Sequence, residues 1–505
     1  MKTLIQKKFN KYQCHQRQKR KARLTQLMDD STMEEQRRKY LLSTRKRSLL
    51  LSYYDSDRQI CELIPDKSLW YLTYVKNPDL EKEKFHTQFR RRFRLPYAKF
   101  MELIEDAREG GWFPPWSNNH INRQKTSSLE LMILGRLGHI GRGWTFDNLE
   151  EATGISQEIH RSFFHVFICI GSTVLFRKYV VSPKNNEDAQ THMHEMKLAG
   201  LHGAVGSTDA THIVLEKCSN RLKNAHLGGK MKHAARTYNI TVNHRRRILS
   251  TTTGHPSRWN DKTLVRFDKF VSGIHEGTIL NDVEFSLWEK NHDGQVVEAK
   301  YKGAWLIVDN GYLNWAVTVP PLKVSSDQRE IRWSQWMESI CKDVECTFGI
   351  LKGRWRILKT GIRLFGVESA DKIWMTCCAL HNWLLEVDGL DEKWESGVPS
   401  EWEGELGDQD DEDIEHYGEP FALQRLHSSA ARRQYDTSVI GVGKDGIVSD
   451  EEECNTTNTY SSDSSNEGTV YHESEGTVKE VRKLSLTFFW GRLIEHFDIY
   501  TVMER

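Results

Sequence analysis

A mixed α/β domain preceded by a helical unit is the fold class this sequence predicts. Three observations predict it. Apolar residues recur at helical spacing through residues 80–180. The period changes to that of strands through 200–320 and returns to helical from 331 to 386. The flanks carry opposite charge: residues 1–50 hold 15 Lys/Arg against 4 Asp/Glu, a net of +11, and residues 386–420 hold 15 Asp/Glu against Lys393 alone, a net of −14. The overall charge of +1 hides this segregation. At 505 residues the chain is too long for one ordinary domain. The expected units are a basic, partly helical arm over 1–80, a helical domain over 81–190, the α/β domain over 200–390, an acidic disordered segment over 391–480, and a short C-terminal helix over 481–505.

Taken in order, the arm contains the cluster Gln18-Lys19-Arg20-Lys21-Ala22-Arg23, which suits nuclear import or phosphate contact as well as a solvated helix face. In the helical domain Phe85, Phe89, Phe93, Phe100, Leu103 and Ile104 recur near helical spacing, interrupted by Pro96. Ser127-Ser128-Leu129-Glu130 is a capping-box pattern opening a helix Leu129–Leu137, with the Gly-rich stretch Gly138–Gly143 as its expected end. A short helix from Thr145 to Ala152, a turn at Gly154 and a second helix from Gln157 to about Ile170, N-capped by Ser156, match a helix-turn-helix outline. Any αα-corner gives that outline, and the phenylalanines of the second helix point to a core role.

Strands follow: Ala204–Leu215, a hairpin of 238–242 with 247–252, a second hairpin from Glu284 to Lys302, and Trp305–Val308. Between the hairpins Lys262–Ile274 reads as one amphipathic helix. Helices are expected from Ile331 to about Leu358 and over 370–386. The acidic and Ser/Thr/Asn/Gly-rich stretch after 387 has too few apolar residues to offset chain entropy, and Leu484–Met503 regains periodicity as a helix that docks. The nine cysteines have no paired CxxC spacing, so no zinc motif or disulfide framework is expected. The N-terminus lacks a signal-peptide apolar region, and the apolar run Ser162–Phe176 falls short of the roughly 20 residues a bilayer demands. The expectation is a protein of a reducing intracellular compartment, without a membrane.

Three acids sit in apolar or amphipathic contexts. Asp209 lies in Gly206-Ser207-Thr208-Asp209-Ala210-Thr211-His212-Ile213, Asp309 in Leu306-Ile307-Val308-Asp309-Asn310-Gly311-Tyr312, and Glu345 in Asp343-Val344-Glu345-Cys346-Thr347-Phe348. Each alone reads as a turn aspartate or a helix-surface glutamate. Converging, they would form a site for hard divalent cations, the arrangement that phosphodiester chemistry with two metal ions requires. Asp261 opens a helix and reads as its N-cap or as an auxiliary ligand; spacing leaves both open. Lys352, Arg354, Arg356 and Lys359 follow Glu345 within a few turns and are candidate phosphate contacts, or a basic solvated face. His212 and His381 sit in apolar runs and read as hydrogen-bonded core histidines.

With Gly254–Asp261, the extension of the Glu345 motif through Gly349-Ile350-Leu351-Lys352-Gly353-Arg354-Trp355, and Cys377-Cys378-Ala379-Leu380-His381-Asn382, these segments give five motifs in order. Together they resemble DDE transposases of the PIF/Harbinger superfamily and their domesticated relatives, over about residues 85 to 390. The resemblance implies an RNase H-like fold with Asp209, Asp309 and Glu345 as a catalytic, metal-binding triad, and it aligns Asp261 with an acid of the family's second block. It implies Mg²⁺, with Mn²⁺ as the alternative, and cutting and joining of double-stranded DNA at element ends in the nucleus. It also implies a separate Myb-like DNA-binding partner, and a homo-oligomer is compatible with it. The rival is a domesticated, non-cutting DNA-binding or scaffold protein that keeps the fold. The acidic segment reads as a solubilising linker or as a tethered competitor of DNA for the basic stretches.

Overall fold

The computed structural model describes residues 65–113, 127–228, 233–389 and 478–503. Most of the basic arm and of the acidic segment lies outside these residues.

The helical part opens with short turns at Pro65–Lys67 and Tyr71–Lys76, which bring Trp70 and Tyr74 into its core, and continues with α1 (Glu83–Phe93) and α2 (Tyr97–Glu109), split at Pro96 as the sequence suggests. The first buries Phe85, Phe89 and Phe93, spaced one turn apart on one face. Next, α3 spans Leu129–Arg142 and corrects the expected end at Leu137: it runs through Gly138 and Gly141 and stops at Gly143, whose φ is +70°. The two inner glycines serve close packing. A β-carbon on Gly138 would lie 3.1 Å from the Trp70 ring, and one on Gly141 2.8 Å from the Arg94 side chain. The Ser128 hydroxyl caps α3 at Leu131 N–H, while Glu130 pairs with Arg108.

Two further helices, α4 (Phe146–Thr153) and α5 (Gln157–Ile170), are joined through left-handed Gly154. A π-turn at Gly171–Leu175 and a last turn at Phe176–Tyr179 extend α5 to a 23-residue run, longer than the apolar stretch suggested. By length and composition this run is sufficient to cross a bilayer, yet most of its apolar part is buried in protein. Gly171 lets it approach α12 (Val367–Val387) so closely that a β-carbon there would lie 2.4 Å from Thr376. Buried His160, Phe163, Phe164 and Phe167 commit α5 to the core. Its outward residues include Ile159, Arg161 and His165, with Arg161 paired with Glu158 at 3.3 Å.

After α6 (Asn186–Leu198) the chain enters the central sheet. Its path is β3-β2-β1-β7-β8, formed by β1 (Ala204–Val214), β2 (Ala235–Val242), β3 (Ile248–Thr251), β7 (Trp305–Val308) and β8 (Thr318–Val319). The first three strands pair antiparallel; β7 and β8 add in parallel. A short β4 (His255–Pro256) also pairs with β2. Between β1 and β2 lies α7 (Asn220–His226). The helix expected over 262–274 is broken into α8 (Asp261–Leu264), a 3₁₀ turn and α9 (Lys269–Glu276), because Asp268 caps α9 by accepting from Phe270 and Val271 N–H.

One apolar core lies between one face of this sheet and the helical part, taking in Phe89, Phe163, Tyr238, Ile240, Val344 and Trp374. The helical part and the sheet therefore share an interior. A second core lies on the opposite face, with Phe270, Trp305, Trp333 and Phe489. The 27-residue α10 (Gln328–Arg354) spans both, and Trp355 separates it from α11 (Arg356–Thr360). A smaller sheet packs on the second core: β5 (Glu284–Lys290) and β6 (Val296–Lys302) form the expected hairpin, and β9 (Lys479–Glu480) adds in parallel to β6. The last helix, α13 (Leu486–Met503), docks there through Trp288 N–H to His496 Nδ1 at 2.9 Å and Arg332 to Asp498 at 2.7 Å.

Candidate active site

The strand register sets the first two acids. Thr208 of β1 stands beside Val308 of the neighbouring parallel β7, so the next residues, Asp209 and Asp309, emerge at the same level of the sheet. Asp209 is half-buried in mid-strand, and Asp309 is exposed where β7 ends. Each carboxylate also bonds its own backbone: Ala210 N–H donates to Asp209 Oδ1 at 2.7 Å, and Gly311 N–H to Asp309 Oδ1 at 2.9 Å. The plain turn reading thus holds for Asp309, just past the end of β7, whereas Asp209 makes its bond from within β1.

Asp261 does not cap its helix. Asn260 does, accepting from Thr263 N–H at 2.9 Å, which frees the Asp261 carboxylate to turn toward Asp309. A β-carbon on Gly311 would meet Asp261 Oδ2 at 2.7 Å and Asp309 Oδ1 at 3.1 Å, so glycine leaves a cradle between them. Glu345 comes from α10, exposed on the side facing β1. Burial pushes the Asp209 carboxyl up to about 7, and the charges of Asp309, Asp261 and Glu345 add to the rise. The Cys341 thiol, one turn before Glu345, is pushed up by burial and then by Asp209, Glu345 and Asp309. All four carboxylates therefore act on one region.

That donor set fits a hard divalent cation: carboxylate oxygens around a glycine cradle, with no thiolate or imidazole required. The acids are spread about the cradle. Among the described residues no three His, Cys, Asp or Glu side chains are drawn together tightly enough to hold an ion as they stand. Mutual repulsion of like charges favours that spread.

Beneath the acids runs a buried chain of hydrogen bonds whose members the sequence pattern does not single out as site residues. Tyr312, three residues after Asp309, donates its hydroxyl to Asn239 Oδ1. Asn239 stands opposite Ala210 on β2 and donates its amide to Asp268 Oδ2 at 2.6 Å. Burial and then the charges of Asp209, Asp261 and Asp309 hold the Tyr312 phenol well above its ordinary range, so it stays a donor. This chain ties the Asp309 turn to the strand next to Asp209. A polar Asn239 within the apolar run Tyr238-Asn239-Ile240-Thr241-Val242 is the signal available in the sequence. Asp343, two residues before Glu345, is buried and faces away from the acids. It pairs with His244 at 2.5 Å and so fastens α10 to the β2–β3 turn.

The basic residues separate. Lys352, two turns beyond Glu345 on α10, donates to Thr211 Oγ1 at 2.9 Å, two residues beyond Asp209 on β1. Burial lowers its ammonium pKa. Arg354 corrects the expectation of a phosphate contact: at 4% exposure it belongs to the interior. Arg356 is half-buried beside Gly143, and Lys359 is exposed. His381 is fully buried with Nε2 against Arg246 O at 2.9 Å, and His212 Nδ1 meets Thr237 Oγ1 at 2.8 Å; both have hydrogen-bond partners, as the sequence suggests.

No curated protein and no solved structure matches the chain. Residues 208–382, about a third of the chain and the span that supplies all four acids, match the family model described as DDE superfamily endonuclease, which supports a DDE transposase-like identity for this domain.

Proposed function

We propose that the chain is a divalent-metal-dependent DNA endonuclease and strand transferase, a transposase of the PIF/Harbinger type that cuts and joins phosphodiesters at element ends. The observation that carries this reading is that Asp261 and Asp309 flank Gly311 while Asp209, beside Asp309 on the parallel strands, feels the charges of Asp309, Asp261 and Glu345. Asp209 and Asp309, side by side on parallel strands, would hold the ions, with Glu345 and Asp261 as further ligands. Bound Mg²⁺, or Mn²⁺, would supply activation of the attacking oxygen and charge stabilisation at the leaving oxygen. Lys352 stands on the same side of α10 as Glu345 and would meet a phosphate beside the acids. Tyr312 and Asn239 hold the Asp309 turn in place.

The substrate in this reading is double-stranded DNA in the nucleus. A separate Myb-like protein would supply part of the end recognition, and further copies of this chain would assemble on the paired ends. The test is cleavage of element-end DNA with Mg²⁺ by the wild type and by Asp309→Asn. Loss of cleavage in the variant, with DNA binding retained, supports the reading. Equal cleavage by the variant refutes it, and binding without cleavage by the wild type leaves the non-cutting alternative.

A further inference from the structure

Past Val214 the far end of β1 is joined by a second segment. Ile362 N–H donates to Val214 O at 2.9 Å and Glu216 N–H to Ile362 O at 3.0 Å, so residues 361–363 run parallel to the strand's end. The segment alternates: Ile362 and Leu364 are buried, while Arg363 and Phe365 point outward. Phe365 is 71% exposed, one of the most exposed large apolar side chains among the described residues. Glycines with φ near +90° bracket the segment at Gly361 and Gly366, a conformation other residues rarely adopt. The Lys217 ammonium lies 5.2 Å from the Phe365 ring centre. Arg221 and Lys223 on α7 are exposed nearby in the chain, and Lys359 precedes the segment. Two acids, Glu216 and Glu368, are exposed at its margins, leaving cations in excess.

An outward aromatic ring among cations on a glycine-bracketed loop has the make-up of a surface that stacks a base while neighbouring charges hold the backbone. Its placement names the ligand more closely. Asp209, Thr211 with its bound Lys352, and Val214 lie along one strand, and Phe365 is attached at that strand's end. Six residues of strand from Asp209 to Leu215, which stands beside Ile362, cover about 20 Å, and Phe365 follows three residues further on. Stacked nucleotides rising about 3.4 Å each need six or more to cover that distance.

We propose that the Gly361–Gly366 loop, with Lys217 and Arg363, is a nucleic-acid contact in which Phe365 stacks on an unpaired base about six or more nucleotides from the phosphate at the carboxylates. This rests on the reading of the domain as a DNA-acting nuclease and assigns that site a preference for locally unpaired DNA. The experiment is fluorescence anisotropy with the full chain in EDTA, which blocks cleavage, on a single-stranded oligonucleotide and on a fully paired duplex. Phe365→Ala is expected to weaken single-strand binding about tenfold and duplex binding little, with Phe365→Trp restoring it. Lys217→Ala and Arg363→Ala are expected to weaken both and to reduce the salt dependence of binding. Equal single-strand binding by Phe365→Ala and the wild type overturns the inference alone, leaving Phe365 for a protein partner. Failure of the wild type to bind either DNA overturns the nuclease reading with it.

Discussion

Asp261 and Asp309 face each other across Gly311, whose missing β-carbon would come within 2.7 Å of one carboxylate and 3.1 Å of the other. The φ of Gly311 is not positive, so alanine fits the backbone there and the whole effect falls on the acids. Gly311→Ala is expected to leave the melting temperature of the metal-free protein nearly unchanged while removing most of the stabilisation that added Mn²⁺ or Mg²⁺ gives the wild type. Thermal unfolding across a metal titration checks this. An unaltered metal response in the variant would contradict the cradle.

Tyr312 holds the Asp309 turn from below. Removing its hydroxyl in Tyr312→Phe leaves the buried Asn239 oxygen without its donor, at a cost of about 1–3 kcal/mol. A purely structural role would stop at that loss. A positioning role predicts in addition that half-maximal cleavage requires several-fold more Mg²⁺, with DNA affinity unchanged.

Lys352 and Arg354, two residues apart on one helix, are predicted to fail differently. Lys352→Ala should weaken DNA binding and cleavage with little loss of stability, because its ammonium bonds a strand hydroxyl beside the acids. Arg354→Ala should cost about 2–3 kcal/mol of stability, because it removes a buried side chain, and should leave DNA affinity per folded molecule unchanged. Denaturant unfolding and anisotropy on the two variants separate these outcomes.

His496 anchors α13 by accepting from Trp288 N–H at 2.9 Å, which requires its Nδ1 unprotonated. Burial, then the neighbouring His202, pushes its pKa down to about 3. The fold binds this proton less readily than the unfolded chain does. Stability from this group is therefore intact above about 6.5 and falls progressively as the pH drops toward 3. In the acid limit the loss approaches about 5 kcal/mol. Measured against the intrinsic exchange rate at each pH, protection of the β5 and α13 amides should fall between pH 7 and 5. In His496→Gln, which keeps an acceptor and cannot titrate, that fall should shrink.

A feature is legible in this sequence where its cause is local. Asp209 and Asp309 can be placed because apolar strand residues precede each of them, and the break at Pro96 because its ring forbids a continuous helix. Gly138 and Gly141 mislead because glycine reads as a local breaker, whereas the neighbours that require it, Trp70 and Arg94, are distant in sequence. Arg354 misleads for the same reason. Its charge suggests the surface, and only the packing of α10 against the helical part shows that it points inward. Asp261 is freed by a residue one place away, Asn260, and two adjacent capping side chains give a sequence pattern no means of ranking them.

The pairing of β9 with β6 and the docking of α13 give the acidic tract two fixed ends. The described residues on either side of it, up to Gly389 and from Val478, both belong to the folded body. A protease cut within it would leave residues 478–505 bound as a separate peptide, held by the β6 edge and by the contacts of His496 and Asp498. The C-terminal piece would then behave as a ligand of the rest of the fold, able to leave it and to be supplied again in trans.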